Sequence, residues 1–562
     1  MTEQDAATGA DSPGAAAAHR ADDGRRLQAP ASAVLDEAHL GDIQGALGHI
    51  ALGDIGERRT WKQRLLTLAA IVGPGIIVMV GDNDAGGVAT YSQAGQNYGT
   101  SLLWTLLLLI PVLIVNQEMV VRLGAVTGVG HARLIRERFG KFWGLFSVGD
   151  LFLLDFLTIV TEFIGVALAL SYFGVSKYLS VPLAALALIG ITISGSFRRW
   201  ERFMLVFVAA NLLVIPLFFM SHPRAQPIAH GFFVPGIKGG VTSTSVLLII
   251  AIVGTTVAPW QLFFQQSSIV DKRITPRWIN YERADTVLGS FVTVLGASAM
   301  LIICAFAFEH SPFAGAFTNA EGVARGLSHQ LGYTAGALYA ILLLNASIIG
   351  AAAVTVGTSY AFGDFFGARH SLHRSVREAP GFYASFAGLM VVAGAIVLIP
   401  GAPLGVITTA VQALAGVLLP SASVFLLLLC NDRQVLGPWV NRPWLNALAA
   451  LIIGVLLVLS LILVVTTIFP HVDVAALMLA MGGCLLVALA IAGVGYARRR
   501  SPARVAPPAE RRETWRMPPL ALLERPTWSR GRVAVMWALR GYLVLAVVLL
   551  LVKAIQLGAG GH

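Results

Sequence analysis

Stretches of about 20 apolar residues recur along almost the whole chain, and they constrain its fold more than any other feature. A helix needs about that many mostly apolar residues to cross the hydrocarbon core of a bilayer. The chain has 562 residues, of which 56% are hydrophobic and only 12% charged, whereas a soluble domain usually carries about 25% charged residues. The sequence therefore predicts an all-α polytopic membrane protein.

The length rule gives 12 to 13 transmembrane helices. The first and sixth predicted spans are interrupted near their middles, and the thirteenth contains Arg540. The spans are expected near residues 65–97, 101–121, 146–173, 177–197, 200–221, 243–268, 284–308, 333–362, 382–401, 405–430, 444–469, 472–496 and 533–556.

Basic residues alternate between successive loops, and this alternation predicts the orientation. Cytoplasmic loops carry an excess of Lys and Arg, while the alternate short loops NYGT, PGAP and PHVD carry neither. We therefore expect a multi-pass protein of the inner cell membrane with a cytoplasmic amino terminus. The loops placed inside contain Arg133, Arg136, Arg138, Lys141, Arg198, Arg199, Arg202, Lys272, Arg273, Arg277, Arg369, Arg374, Arg377, Arg433, Arg442 and a dense basic run from 498 to 532.

Five segments follow from these patterns. Residues 1–60 are expected to form a cytoplasmic tail that is disordered, with a short amphipathic helix near 35–50 as an equal alternative. Residues 61–432 form the core of ten helices and 433–496 two accessory helices. Residues 497–532 form a basic cytoplasmic loop that rests on anionic headgroups, and 533–562 an additional helix.

The formal net charge of +10 does not indicate nucleic-acid binding, because the basic residues occupy gaps between apolar runs and one late loop. The chain has no HExxH motif, no serine-nucleophile motif and no glycine-rich phosphate loop. We therefore expect neither an enzyme nor a bound cofactor. No obligate protein partner is indicated, and a monomer is expected.

Two spans contain residues that oppose a continuous helix. The first reads VGDNDAGGVATYSQAG over residues 80–95, with two aspartates and paired glycines at membrane depth. The sixth contains GTTVAPW, in which Pro259 lacks a donor and clashes with the preceding turn. Unwound backbone at this depth is tolerated only inside protein or beside a water-filled cavity. Two interrupted helices five spans apart are typical of an inverted-repeat transporter, with an ion site at the midplane.

These motifs resemble those of the NRAMP divalent-metal transporters. GPGIIVMVGDNDAGGVATYSQAG, from Gly73, is similar to the first-helix signature GPG…DPGN.AT..QAG of that family. RLGAVTG, GTTVAPWQLFFQQS and VQALAGVLLP resemble its motifs after the second helix and in the sixth and tenth. The resemblance covers roughly residues 65–430 and implies a LeuT-like 5+5 inverted-repeat transporter core with helices 1 and 6 broken.

The departures from the family pattern fall on the metal ligands. The resemblance implies that the metal-binding aspartate falls on Asp84, the sixth-helix carbonyl on Thr255 and the tenth-helix glutamine on Gln412. It also implies that the family asparagine is replaced by Gly87 and the metal-binding methionine by Ala258. The loss of a thioether leaves oxygen ligands, which suit hard ions. Mg²⁺ keeps several waters, so a wide site with few protein ligands suits it.

The expected metal site therefore contains Asp84, Gly87, Thr255, Thr256, Ala258 and Gln412. The combination resembles the NRAMP-related magnesium transporters of bacteria, with Mn²⁺ as a second substrate. Asp84 is also placed to cap the half-helix that follows. The hydroxyls of the two threonines bond either to the ion through water or back within their helix, and Gln412 reaches either the ion or a neighbouring helix.

Two further acidic residues have open roles. Glu162 on the third span is either functional or structurally paired, and Asp82 either raises the local cation concentration or pairs with an arginine. The resemblance places Ile159 where the family has an aspartate, and Trp260 and Gln265 where it has histidines. We therefore expect uptake without obligatory proton coupling. The alternatives are a proton-coupled Mn²⁺/Fe²⁺ importer, an amino-acid transporter of the same architecture, and a channel.

Overall fold

The computed structural model describes residues 36–498 except 55 and 470, residues 509–524, and a few positions between 533 and 548. In these residues, ten helices are long and apolar enough to cross a membrane, or eleven if one bent pair counts as a span. One of the ten covers 43 residues, Ala85–Thr127, and contains a 3-10 turn at Gly99–Leu102. At 1.5 Å per residue it is about twice the thickness of the hydrocarbon core, enough for two crossings. The protein is a multi-pass membrane protein.

The helices follow the predicted order. The first five predicted spans correspond to α1 (Trp61–Ile71), α2 (Pro74–Gly81), α3 (Ala85–Tyr98), α4 (Leu103–Thr127), α5 (His131–Phe139), α6 (Lys141–Tyr172), α7 (Lys177–Ile193), α8 (Phe197–Ala210) and α9 (Val214–Met220), with a 3-10 turn at Asn211–Leu213. α5 is a short helix between the second and third spans.

The second half continues through an outer helix into the sixth span. It comprises α10 (Ala225–Phe233), α11 (Ser243–Thr256), α12 (Pro259–Asp271), a 3-10 turn at Pro276–Trp278, α13 (Ile279–Phe308), α14 (Ala320–Leu331), α15 (Tyr333–Phe366), α16 (Pro380–Val397) and α17 (Leu404–Cys430). α18 (Arg433–Leu436), a 3-10 turn at Gly437–Trp439, α19 (Pro443–Ile468), α20 (Val474–Arg498), α21 (Ala509–Thr514) and a 3-10 turn at Leu520–Leu522 follow. The predicted thirteenth span lies largely outside the described residues.

Both predicted interruptions exist, but the first differs in position. The first span is in three pieces, with a 54° bend between α1 and α2 and a second break between α2 and α3. α2 ends at Gly81 with Asp82 as its cap, and α3 begins at Ala85. Gly86 and Gly87 therefore lie inside the first turn of α3 rather than in the unwound segment. The sixth span breaks at Val257 and Ala258, directly before Pro259, as expected.

The broken spans lie at the centre of the molecule. α3 packs against α13, and α11 packs against α17. The third and eighth spans, α6 and α15, also pack against each other and contact α3. The architecture is therefore the LeuT-like inverted-repeat core that the sequence predicts, with both breaks enclosed by protein.

The segment before the first span is not an amphipathic helix. Residues 43–44 and 49–50 form a two-stranded antiparallel hairpin, β1 (Ile43–Gln44) and β2 (His49–Ile50), after a 3-10 turn at Glu37–His39. The amide of Ala46 donates to Glu201 Oε2 (2.5 Å), and Arg273 Nε donates to the Ala38 carbonyl (3.0 Å). These polar contacts with α8 and the end of α12 favour a docked hairpin over a free helix.

Candidate metal site

Asp84 lies at the start of α3, at the break in the first span. Its carboxylate accepts a hydrogen bond from the amide of Gly87 (2.6 Å), so it caps the helix as the sequence predicted. The side chain is 2% exposed. A buried carboxylate at a helix amino terminus is stabilised by the helix dipole, and it remains available to a cation through its second oxygen.

Glu162, on α6, contacts the same break. Its Oε2 accepts a hydrogen bond from the amide of Ala85 (3.1 Å), which is another free donor at the start of α3. Gly350 on α15 lies against both acids: a methyl group on it would lie 2.6 Å from the Glu162 carboxyl carbon and 2.9 Å from Asp84 Cβ. Glu162 therefore lies beside Asp84, a proximity that the sequence did not predict.

The break in the sixth span exposes a backbone carbonyl. In a continuous helix the Thr255 carbonyl would accept from residue 259, but Pro259 has no amide hydrogen. Thr256 behaves differently from its neighbour: its hydroxyl donates back to the Ile252 carbonyl (2.6 Å) and bonds to Tyr91 Oη (2.8 Å). The back-bonding alternative thus holds for Thr256, while the Thr255 hydroxyl has no hydrogen-bond partner among the described residues.

The two breaks face each other through glycines. A methyl group on Gly87 would lie 3.1 Å from Thr255 Oγ1 and 3.0 Å from the Asp82 carbonyl oxygen. A methyl group on Gly86 would overlap the amide of Gln412 on α17. Gly86 and Gly87 therefore allow α11 and α17 to approach α3 closely. From the sequence, the paired glycines had been interpreted as a site of unwinding.

Several buried polar atoms around the breaks have no hydrogen-bond partner among the residues that the structure describes. Burial without a partner is costly for a polar atom, so these positions favour a polar or charged guest. They are both carboxylate oxygens of Asp82, Glu162 Oε1, Thr255 Oγ1 and Gln412 Nε2. A rotation of the Gln412 amide would present its oxygen in place of its nitrogen. Of the two alternatives for Asp82, pairing with an arginine is not observed among the described residues, where neither carboxylate oxygen has a hydrogen-bond partner.

All six predicted residues lie at or against these breaks: Asp84 and Gly87 at the start of α3, Thr255 and Thr256 at the end of α11, Ala258 directly before α12, and Gln412 on α17 against Gly86. Ala258 is the residue before α12 and is 5% exposed, and Gln412 is 2% exposed. No group of three His, Cys, Asp or Glu residues converges in the described part of the chain. A cavity of about 620 Å³ borders the first break at Val80 and Asn83, and apolar residues line most of it.

A chain of amides extends the polar surface away from the break, and the sequence analysis missed it. Gln117 Nε2 donates to Gln261 Oε1 (2.8 Å), and Gln261 Nε2 donates to the Thr256 carbonyl (3.3 Å). Asn116 is also buried, with its amide nitrogen unpartnered. The signal was available, because Asn116 and Gln117 follow a long apolar run in the second span, and such polar residues are unusual at membrane depth.

Comparison with known proteins identifies the family. The family model described as natural resistance-associated macrophage protein-like (Nramp) matches residues 75–466. A protein of Xylella fastidiosa named divalent metal cation transporter MntH is 28% identical over 446 residues, which cover 77% of this chain and 90% of that protein. The protein of the same name from Bacillus subtilis is 26% identical over 460 residues, 78% of this chain and 98% of its own.

The fold comparison agrees. The crystal structure of the Eremococcus coleocola manganese transporter, in complex with an aromatic bis-isothiourea substituted compound, has a TM-score of 0.59 at 22% identity and covers 78% of this chain and 98% of that one. At this identity the likeness establishes the fold, and the family model carries the assignment. The chain belongs to the Nramp family.

Proposed function

We propose that this protein moves divalent metal cations into the cell by alternating access, with Mg²⁺ as its main substrate and Mn²⁺ as a second. The membrane is the inner cell membrane, and the amino terminus is cytoplasmic. Relatives named divalent metal cation transporters support the general class. The observation that carries the Mg²⁺ proposal is Ala258 at the break of the sixth span, where the family pattern has a methionine.

The groups around Asp84 support a hard ion. They are carboxylate, carbonyl, hydroxyl and amide groups from Asp84, Thr255 and Gln412, and the Ala258 side chain adds no sulfur. Oxygen ligands favour Mg²⁺ and Mn²⁺, whereas a thioether favours softer ions. The small side chains of Gly87 and Ala258 leave room for ligand waters when the site opens, which suits an ion that dehydrates reluctantly.

The membrane potential is a sufficient driving force. A potential of 100 mV is worth about 2.3 kcal/mol per charge and therefore about 4.6 kcal/mol for a divalent ion. That energy corresponds to roughly a 2,000-fold concentration ratio. Net uptake therefore needs no second ion. In the described residues, no histidine lies within a helix that is long and apolar enough to cross a membrane.

A proton-coupled Mn²⁺ or Fe²⁺ importer is the second candidate, and one observation favours it. Glu162 touches the first-span break, and Asp155 lies two turns away on the same helix, buried and bonded by the Thr358 hydroxyl (2.7 Å). Intramembrane carboxylates in series are a common proton route. Here Asp155 offers a second carboxylate on the third span, although Ile159 occupies the family position.

Purified protein in liposomes tests both candidates. We expect Mg²⁺ and Mn²⁺ influx that rises with imposed voltage, no preference for Cd²⁺, and no change in an internal pH dye. The double variant Ala258→Met with Gly87→Asn should impair Mg²⁺ uptake, because the methyl position of Gly87 already lies within 3.3 Å of three neighbours. Acidification that tracks metal influx and disappears in Glu162→Gln would establish the proton-coupled alternative.

A further inference from the structure

A cavity with a basic lining lies at one membrane face, away from the candidate metal site. It measures about 450 Å³ and is formed where the second span ends and the seventh and eleventh begin, together with α21 of the late loop. Four arginines and two glutamates line it, so positive charge exceeds negative charge by two. The arginines are Arg122, Arg283, Arg442 and Arg512.

The inner part of the cavity is fixed by hydrogen bonds. Glu118 accepts from Arg122 (2.8 Å) and from Arg283 (2.5 Å), so one carboxylate is shared by two guanidinium groups. Arg122 also donates to the Trp439 carbonyl and to Asn441 Oδ1, both at 2.7 Å, and is only 4% exposed. Glu118 balances only one of the two guanidinium charges, so one positive charge remains, and the hydrogen bonds hold both groups in place for an anion.

Trp439 organises the outer part. Its indole nitrogen donates to the Arg512 carbonyl (2.9 Å), and the Arg512 guanidinium lies 4.4 Å from the centre of its ring. The Nε atoms of Arg122, Arg283 and Arg512 are buried and have no hydrogen-bond partner in the described part of the chain. Arg442 is exposed at the rim, beside Trp444, whose side chain is 61% exposed. An exposed tryptophan beside arginine at the end of a span is typical of the headgroup level.

We propose that this cavity binds the phosphate headgroup of an acidic membrane lipid. Basic pockets between transmembrane helices recognise such headgroups, and guanidinium forks match phosphate oxygens in geometry as well as charge. The headgroup would join the second and seventh spans to the late loop. Through its segment 509–524, the late basic loop is thus part of a lipid-binding site. It does not only rest on the bilayer surface.

Lipid binding to the purified full-length protein tests the proposal. Native mass spectrometry in neutral detergent would compare phosphatidylglycerol with phosphatidylcholine, and glycerol 3-phosphate and inorganic phosphate would be the soluble probes. Phosphatidylglycerol should bind more tightly than phosphatidylcholine. Arg442→Gln with Arg512→Gln should weaken its binding about 25-fold, since each surface arginine is worth about a 5-fold change.

The control removes the same charge elsewhere. Arg433 and Arg377 are exposed and do not line the cavity, so Arg433→Gln with Arg377→Gln should leave phosphatidylglycerol affinity unchanged. Competition by glycerol 3-phosphate at equal concentration would assign the site to soluble phosphates instead of lipid. Equal binding of both lipids, or equal loss in the two double variants, would overturn the proposal. The melting temperature of each variant without lipid establishes that it is folded.

Discussion

At the scale of single residues, Asp84 caps α3, and its carboxylate is the proposed cation ligand; two substitutions separate these roles. Asparagine caps a helix about as well as aspartate, while alanine costs about 1 kcal/mol. We expect Asp84→Asn and Asp84→Ala both to abolish metal uptake in liposomes. Only Asp84→Ala should also lower the melting temperature. Uptake retained by Asp84→Asn would show that the cap, and not the charge, is what transport requires.

Individual residues also show what the sequence could and could not predict. Asp84 was identifiable because a carboxylate at membrane depth needs a reason, and Thr255 and Gln412 were identifiable through the resemblance to the family motifs; all three lie at or against the breaks. Glu162 was assigned no firm role, because its proximity to Asp84 depends on Gly350, a residue 188 positions later in the chain and one of many small residues in the eighth span. Contacts between distant spans leave no mark on either segment alone.

At the scale of elements, the interruption of the sixth span depends on one missing donor. Pro259→Ala would restore an amide that can bond to the Thr255 carbonyl, and so would favour a continuous helix through α11 and α12. We expect metal uptake to fall at least 10-fold while the melting temperature stays equal or rises. Unchanged uptake would mean that the freed carbonyl is not a ligand.

Close packing of α11 against α17 gives a second prediction at this scale. A methyl group on Gly254 would overlap the backbone of Gln412 and Gly416, which cannot move aside as a side chain can. Gly254→Ala should therefore cost about 1–3 kcal/mol. Gly149 on α6 is exposed with open space around it, so Gly149→Ala is the matched control and should be neutral or slightly stabilising. The melting temperatures of the two variants are compared in the same detergent. Equal melting temperatures would contradict the close packing at Gly254.

The helices and the hairpin also show which elements the sequence could predict and which it could not. Helix order followed from apolar run length, the sixth-span break from Pro259, and the first-span break from the aspartates and paired glycines, all of which are local properties. The first break was misplaced by a few residues because paired glycines indicate either unwinding or close approach, and only the positions of Gln412 and Thr255 distinguish these. The hairpin at 43–50 was missed because its pairing and docking depend on Glu201 and Arg273, which are remote in sequence.

At the scale of the whole molecule, the loop between α15 and α16 adds a pH dependence to stability. Burial disfavours the His370 imidazolium, but the Asp364 carboxylate (3.0 Å) and the Ala368 carbonyl outweigh it and raise the pKa of His370 to about 9. The ordinary value is about 6.5, so the stabilisation is fully present below pH 6.5 and is lost as the pH rises through 9. It amounts to about 3 kcal/mol.

The melting temperature measured from pH 6 to pH 10 tests this linkage. The wild-type protein should lose more stability between pH 7 and pH 10 than His370→Gln, whose profile lacks the charge pair. Parallel profiles for the two proteins would contradict the assignment of the pair to His370 and Asp364.

The proposed function requires a divalent ion to bind where the first and sixth spans are interrupted. Anomalous diffraction from crystals soaked in Mn²⁺ locates such an ion directly. We predict a peak at direct or water-bridged distance from the Asp84 carboxylate and the Thr255 carbonyl, absent in Asp84→Asn crystals. A peak elsewhere in the wild-type protein, or one that persists unchanged in that variant, would contradict the account.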